Sequence, residues 1–268
     1  MSRVSKGTVV LKVGGSILTR ARAYGRVAAY LKRRIDTEPE EKLVVVVSAQ
    51  KLATSVLERS ARRIVRSPSA RALDLLWSTG ELRSVAILTL HLEAIRVSAV
   101  GLNVHETGLQ FSAEAQLCPP RPVLRGAYID RALAGHAVAV VPGFLATRSD
   151  EAIVTLGRGG SDLSAVLLAV GLGAARCELL KDVPGYFEED PRANARAAHL
   201  PSLSFEKALG MAERGCELVQ PRALAAAADA GLPLVVRSLD EGATSSVISP
   251  GTKQTSPEPD REPVTADT

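Results

Sequence analysis

Aromatic residues are scarce in this sequence: they make up only 3% of its 268 residues. Proteins that bind single-stranded nucleic acid stack the bases on aromatic side chains, and this sequence offers no such platform. An excess of one charge sign is also nearly absent, because 33 basic and 29 acidic residues leave a formal net charge of only +4. A surface this mildly basic does not indicate nucleic-acid binding, although it suits a polyanionic nucleotide. We therefore expect no nucleic-acid partner.

Cysteine is also scarce, and the sequence has no clustered histidines and no long apolar runs. The three cysteines, Cys118, Cys177 and Cys216, are an odd number at irregular spacings, which fits neither a disulfide framework nor a zinc site. The four histidines have no carboxylate or cysteine at ligand spacing, so we expect no metal site made of protein ligands. No apolar run approaches the roughly 20 residues that a membrane helix needs. These absences predict a protein of the reducing cytoplasm without a membrane partner.

The sequence does contain short apolar runs that alternate with helical patterns. The predicted strands are 9–13, 43–47, 137–141, 177–180 and, as the last one, 234–237; the predicted helices are 24–34, 54–65, 161–171, 205–215 and 221–230. This alternation is typical of a mainly parallel sheet with helices on both faces, so we predict an α/β fold that forms a three-layer α/β/α sandwich. We assign residues 1–248 to one domain and the polar residues 249–268 to a disordered tail.

The first candidate site lies where the first predicted strand ends. In open parallel sheets, ligands bind beyond the carboxyl ends of the strands. Here Lys12 is followed by Gly14, Gly15 and Ser16. The two glycines let backbone N–H groups approach phosphate oxygens, and the lysine can neutralise charge on a phosphoryl group. The lysine precedes the glycines, so this is not a Walker loop, and the spacing alone also permits a simple tight turn.

A second glycine-rich motif, Leu156 to Asp162, runs directly into a predicted helix. Its three glycines expose backbone donors, and Ser161 or Asp162 can cap the helix. Arg158 offers a guanidinium fork that matches a carboxylate or a phosphate. Glycines, an arginine and an acid converge in this short segment, which favours a ligand site over a capped loop with a solvated arginine.

A third motif, Lys181 to Arg192, is a polar and turn-rich loop that follows a buried strand. A loop of this length between regular elements is more often functional than structural. We therefore include it in the candidate site.

Taken in this order, the motifs resemble the aspartate kinase branch of the amino acid kinase family, whose carbamate kinase-like fold is then expected. The matching segments are Lys12 to Ile17, Val47 to Ala49, a Gly80-Glu81 pair expected to open a helix, Val141 to Phe144, Leu156 to Asp162, Asp182 to Gly185, Asp190 to Arg192, Leu203 to Phe205 and Gln220 to Ala223. The resemblance covers roughly residues 9–248, nearly the whole predicted domain.

The resemblance implies phosphoryl transfer from ATP, with Mg2+, to the side-chain carboxylate of L-aspartate. Lys12 would stabilise charge on the moving phosphoryl group, and Asp162 would orient Lys12. Arg158 would hold the substrate α-carboxylate and Glu81 its ammonium. The substrate-binding positions are Ser48, Thr54, Glu81 and Arg158. The nucleotide-binding positions are Gly14, Gly15, Ser16, Gly159, Gly160, Ser161, Lys181, Asp182, Tyr186, Phe187, Asp190, Arg192 and Glu217. No strong base is needed, because the attacking carboxylate is ionised near neutral pH.

The chain departs from the family pattern at several of these positions. Residues 50–53 intervene where the family has a glycine before its threonine, which makes this loop less able to wrap a substrate. Lys181 stands in place of a threonine or serine, Glu217 in place of a phosphate-facing lysine, and Gln220 in place of a histidine. We predict a compensating exchange, in which Lys181 either pairs with Glu217 or replaces the missing lysine at the phosphates. The alternative is that both side chains point to solvent.

Three functions stay open at this point. The first is an active aspartate kinase; the second is a kinase that acts on another small or carrier-bound acid; the third is a subunit that binds nucleotide or forms oligomers and has lost catalysis. Arg158, Glu81 and Asp162 together favour an amino-acid head group, and Lys12 favours catalysis. The chain ends within about 20 residues of where regulatory domains would begin, too few for a folded module. We therefore expect a stand-alone catalytic domain, a homodimer or larger homo-oligomer, with regulation left only to a possible separate chain.

Overall fold

The structure is a computed structural model that describes residues 7–111, 123–125, 128–157, 159–191, 193–194, 196–240 and 242–251. Its strands are β1 (Thr8–Val13), β2 (Lys42–Val47), β3 (Ala99–Gly101), β4 (Leu109–Gln110), β5 (Val123–Leu124), β6 (Val138–Pro142), β7 (Leu145–Thr147), β8 (Ile153–Thr155), β9 (Arg176–Leu180), β10 (Tyr186–Phe187), β11 (His199–Leu200), β12 (Ser202–Ser204), β13 (Leu234–Arg237) and β14 (Ser246–Ser249). Its α-helices are α1 (Ala21–Thr37), α2 (Ala53–Ile64), α3 (Ala70–Ala94), α4 (Tyr128–Gly135), α5 (Gly160–Leu172), α6 (Phe205–Glu213) and α7 (Pro221–Ala230).

The main sheet has eight strands in the order β12-β14-β13-β9-β1-β2-β6-β3. The six strands from β13 to β3 run parallel to one another. β14 pairs antiparallel to β13, and β12 runs parallel to β14, so the direction is reversed only at one edge. The predicted mainly parallel sheet is confirmed, and the carboxyl ends of β9, β1, β2 and β6 lie side by side at one edge.

Successive residues of the central strands face opposite layers of helices. On β1, Val9, Leu11 and Val13 join the core under α1 and α3, whereas Val10 joins the core under α4 to α7. The neighbouring strands alternate in the same way, and nearly all of these side chains are fully buried. This alternation is what a strand covered on both faces requires. The predicted three-layer α/β/α sandwich is confirmed.

Several elements were not predicted or were predicted wrongly. The four-stranded sheet β5-β4-β7-β8 and the β10-β11 hairpin are built from strands of two or three residues, too short to show a period in sequence. The segment 234–237 is not the last strand, because β14 follows it. The pair Gly80-Glu81 does not open a helix; it lies in the middle of the 25-residue helix α3.

The chain end is described only as far as Gly251. β14 ends at Ser249, the first residue assigned to the predicted tail, and residues 252–268 lie outside the described residues. None of the helices in the described ranges is both long and apolar enough to cross a membrane.

A buried ionic cluster fastens α1 to the sheet. The Arg34 guanidinium donates to both carboxylate oxygens of Glu178, at 3.0 and 2.8 Å, and to Glu41 at 2.8 Å. Burial opposes ionisation of Glu178, but Arg34 and the charges of Arg237 and Arg176 outweigh it and lower the pKa of this carboxyl. Glu178 is on the α1 face of β9, away from the face that carries Lys12. We therefore assign the cluster to the fold and not to the site.

Candidate active site

Three buried charged side chains meet at the carboxyl ends of β1 and β9. Asp162 in the first turn of α5 contacts Lys12 through Oδ1, at 2.6 Å from Nζ, and Lys181 through Oδ2, at 2.8 Å from Nζ. Lys12 and Val10 share a face of β1, and Lys181 continues the alternation of Cys177 and Leu179, so both lysines point towards α5. The side chains are only 8 to 11% exposed. The predicted orientation of Lys12 by Asp162 has the geometry it needs, and Lys181 shares the same carboxylate.

The charges in this group depend on one another. Burial alone would raise the pKa of Asp162, but Lys12 and Lys181 outweigh burial and hold it at about 2. Burial lowers the pKa of Lys181, and the charge of Lys12 adds to that effect, while Asp162 opposes it. Asp162 is therefore ionised throughout the physiological range and keeps two ammonium groups close together.

The first glycine motif forms a tight turn over this group. The backbone N–H groups of Ile17 and Leu18 donate to the carbonyl of Gly14, at 3.0 and 3.2 Å. A Cβ on Gly14 would come 3.1 Å from Lys12 Nζ, and one on Gly15 would come 3.2 Å from the Ala49 carbonyl oxygen. The Lys12 ammonium therefore lies close to Gly14, where a side chain would crowd it. The next residue, Ser16, is exposed at the surface of the turn.

The predicted substrate-binding residues in the described part of the chain lie just after β2, on α2 and on α3. Ser48 follows β2, is buried, and donates its backbone N–H to Val13 at 3.1 Å. Glu81 is 3% exposed, and its Oε2 has no hydrogen-bond partner within the described part of the chain. Burial raises the pKa of Glu81 to about 8, although a hydrogen bond from the Ala49 backbone and the charge of Lys12 lower it. Thr54 is half-buried on the first turn of α2, next to Ala53, which approaches Gly80.

The second glycine motif positions Asp162. Gly159 has φ of 72° and is the N-cap of α5, with no side-chain cap. Capping by Ser161 or Asp162 was therefore wrong, because the carboxylate of Asp162 is engaged by the lysines. A Cβ on Gly159 would lie 2.9 Å from Gln220, so the backbone passes close to this side chain. Gly160 is buried and Ser161 half-buried, and Arg158 lies outside the described residues.

The third motif lines a cavity of about 610 Å3, a volume typical of small-molecule sites. Of the predicted nucleotide-binding residues, the cavity is lined by Asp182, Tyr186, Phe187, Asp190 and Glu217. Arg192 lies outside the described residues. The side chain of Tyr186 is largely in the hydrophobic core, and burial raises its pKa. Asp182, which directly follows Lys181, lines the cavity, so the cavity lies beside the group formed by Lys12, Asp162 and Lys181.

The structure contradicts one form of the compensating exchange. Lys181 donates to Asp162, whereas Glu217 is exposed on the wall of the cavity. Direct pairing of Lys181 with Glu217 was therefore wrong, because the acid that Lys181 contacts is on α5. The solvent-facing alternative is also wrong for Lys181, which is 11% exposed.

A second, smaller cavity was not predicted. It has a volume of about 330 Å3 and lies between the altered loop at 50–53, α2 and the middle of α3. Arg83 on its wall donates to Gln50 at 3.2 Å. The inserted residues thus wall a pocket on the Glu81 side of the site. Sequence gave no signal for it, because the pocket depends on how α2 rests on α3.

The fold and site have clear relatives. A model of the amino acid kinase family matches residues 7–238, so the chain belongs to the amino acid kinase family. Among curated proteins, the chain is 36% identical over 233 residues to an aspartokinase of Thermus thermophilus, which covers 86% of this chain and 56% of that protein. It is 33% identical to aspartokinase 2 of Bacillus subtilis, over 90% of this chain and 59% of that protein. The chain therefore spans little more than half the length of these relatives.

Solved structures agree with this assignment. An aspartate kinase from Synechocystis superposes with a TM-score of 0.79 at 34% identity, over 91% of this chain and 40% of that one. Aspartokinase III of E. coli, in complex with aspartate and ADP, gives a TM-score of 0.74 at 24% identity, over 92% of this chain and 65% of that one. A uridylate kinase from Archaeoglobus fulgidus, at 19% identity, covers 90% of this chain and 99% of that one with a TM-score of 0.64. The latter two show the fold alone.

Proposed function

We propose that the chain catalyses transfer of the γ-phosphoryl group of ATP to the side-chain carboxylate of L-aspartate, which gives 4-phospho-L-aspartate and ADP. The observation that carries this proposal is the buried group of Lys12, Asp162 and Lys181 at the carboxyl ends of two parallel strands. It lies between a nucleotide-sized cavity and the buried carboxyl of Glu81. The similarity to aspartokinases supports aspartate as the acceptor.

The reaction needs charge stabilisation more than proton transfer. An ionised carboxylate oxygen of aspartate attacks the γ-phosphorus, a new P–O bond forms, and the bond to the leaving ADP oxygen breaks, so no proton moves. The protein's task is to hold the reactants in line and to offset negative charge on the phosphoryl oxygens. Lys12 faces that region with its ammonium fixed by Asp162, and Gly14 leaves room for it. Lys12 is therefore assigned as the catalytic residue and Asp162 as its positioning residue.

The donor set fits a magnesium ion that is held chiefly by the nucleotide. Mg2+ usually keeps several waters and binds one or two carboxylates together with substrate phosphates. Both oxygens of Asp162 are occupied by lysines, and Asp182 lines the cavity next to Lys181. We assign Asp182 as the carboxylate that would hold Mg2+. When bound, the ion would neutralise part of the triphosphate charge.

The head group of the acceptor is recognised by Glu81 in this proposal. Its Oε2 is buried without a hydrogen-bond partner in the described residues, which is costly unless a ligand completes the site. An ammonium group supplies both the donor and the opposite charge. Arg158 would take the α-carboxylate through two parallel hydrogen bonds. Ser48 and Thr54 complete the acceptor side.

An acyl-phosphate trapping assay tests the function. The chain, ATP and Mg2+ are incubated with hydroxylamine and L-aspartate, L-glutamate, N-acetyl-L-aspartate or succinate, and the hydroxamate is measured. We expect hydroxamate with aspartate and little with succinate, which lacks the ammonium. A larger yield with another acceptor would replace aspartate in the proposal. No hydroxamate with any acceptor, in a chain that still binds ATP, would indicate a catalytically inactive subunit.

Glu81 gives the acceptor site a predicted pH dependence. Below about pH 8, Glu81 must lose a proton before it can pair with an ammonium. We therefore expect the KM for aspartate to fall as pH rises from 6 to 8, by at most about tenfold per unit, and then to level off. The KM for ATP should not follow this trend. In Glu81→Gln the aspartate KM should be higher and flat across the range; a wild-type KM independent of pH would contradict the assignment.

Ionisation of Glu81 should favour aspartate binding but lower the stability of the fold. The pKa of Glu81 is raised on folding from its ordinary value of 4.5 to about 8. The free energy of unfolding should therefore decrease as pH rises between these two values. Glu81→Gln should lose this part of the pH dependence, which urea unfolding at pH 5 and pH 8 measures independently of activity.

A further inference from the structure

We propose that Lys181 is a second phosphoryl-binding lysine, which contacts the terminal phosphates of ATP together with Lys12. This inference rests on the proposed function in one respect, that ATP is the phosphoryl donor. It adds a second catalytic residue, whose ammonium supplies a positive charge at the phosphates that Glu217 does not provide.

The charge balance of the buried group supports this role. Lys12 and Lys181 are both in direct contact with a single carboxylate, Asp162, while the exposed Asp182 acts on Lys181 through its charge. Burial raises the pKa of Glu81, the buried acid next to Lys12, to about 8, so it contributes little negative charge near neutral pH. One lysine would be enough to pair with Asp162. A buried excess of positive charge is costly unless an anion completes it, and a phosphoryl group is such an anion.

The position of Lys181 supports the same role. Its backbone N–H donates to the carbonyl of Arg237 at 2.8 Å, which fixes the residue at the end of β9. The next residue, Asp182, already lines the larger cavity. Lys181 therefore stands between the nucleotide cavity and Lys12, where the triphosphate has to pass to reach the acceptor.

The walls of the larger cavity are a poor place for phosphates. Besides Asp182, four acidic residues line it, and Arg214 is the only basic one among its described lining residues. A triphosphate would be repelled there. The nucleoside part fits the cavity, and the phosphates then extend towards the lysines. This arrangement makes Glu217 tolerable on the cavity wall.

Nucleotide affinity separates a phosphate contact from a merely structural role. Isothermal titration of ATP, ADP and AMP, with Mg2+ and without acceptor, is compared for the parent and Lys181→Met. The methionine keeps the apolar stem, and Lys12 remains as partner of Asp162, so the fold should persist. We expect ATP to bind at least about tenfold more weakly, ADP to be weakened less, and AMP to be unaffected. Unchanged affinity for ATP, or equal weakening of all three nucleotides, would overturn the proposal.

A charge rescue gives the second test. Lys181→Thr/Glu217→Lys should recover much of the ATP affinity that Lys181→Thr loses. The matched control is Lys181→Thr/Glu213→Lys, which makes the same charge change at an exposed residue of α6 outside the cavity lining and should recover little. Equal rescue by both would mean that only net charge matters and would refute a specific contact. If the parent binds ATP in a Lys181-dependent way but yields no hydroxamate with aspartate, the acceptor assignment fails while the role of Lys181 stands.

Discussion

Replacing Lys12 by alanine is expected to lower kcat for phosphoryl transfer at least about a hundredfold while the chain stays folded. In the proposed site, Asp162 positions the Lys12 ammonium between the nucleotide and the acceptor. Alanine removes this positive charge, so the negative charge on the phosphoryl oxygens is no longer compensated. The fold should survive because Asp162 keeps Lys181 as its partner at 2.8 Å. Turnover is measured as hydroxamate formation at saturating ATP and aspartate, so that a change in binding does not hide a change in kcat.

The matched control is Lys207→Ala, which removes an exposed lysine from α6 and should leave kcat unchanged. Thermal unfolding of both variants should stay within a few degrees of the parent. If Lys12→Ala is folded and turns over like the parent, then Lys12 does not act on the transferred group and the catalytic assignment is wrong.

Much of this site follows from the alternation of residues along strands. The apolar run from Val9 to Val13 predicts β1. Because side chains alternate between the two faces of a strand, Lys12 lies on the same face as Val10. The same rule places Lys181 with Cys177 and Leu179. Because β1 and β9 are parallel neighbours, with Val13 opposite Leu180, the two lysines end at one edge. Sequence alone did not show that β9 lies next to β1, since strand order is a property of the whole sheet.

What sequence missed depends on contacts between distant segments. The pattern around Gly80 suggested a helix start, but α3 continues through it because the glycine packs against Ala49 and Leu57, where a side chain would crowd them. The partner of Lys181 was misjudged for a similar reason. Reasoning from charge offers Glu217 as one possible partner of Lys181, whereas the geometry of α5 brings Asp162 within hydrogen-bond distance. Charge patterns predict that a partner exists; packing chooses which one.

Replacing Asp162 by asparagine is expected to destabilise the fold by about 3 to 5 kcal/mol and to abolish most activity, because two buried ammonium groups lose their counter-ion. The carboxylate is ionised in the folded chain, where its pKa is held at about 2. Its stabilising effect should therefore be complete above its ordinary pKa of about 4 and should be lost as pH falls towards 2. Urea unfolding should show a constant difference between parent and Asp162→Asn above pH 5, which shrinks below pH 4.

The decisive variant is Asp162→Asn/Lys181→Met, which removes the counter-ion together with one of the two ammonium groups that it holds. With a single ammonium left, repulsion disappears, and this variant should be more stable than Asp162→Asn alone even though it carries a second core change. Asp162→Asn/Lys207→Met, in which the second substitution is on the surface, should remain as unstable as Asp162→Asn. Activity should stay low in both, because Lys12 is no longer positioned. If the stability losses of Asp162→Asn and Lys181→Met simply add, the three side chains do not form one coupled group, and Lys181 would have to be placed in the fold and not in the site.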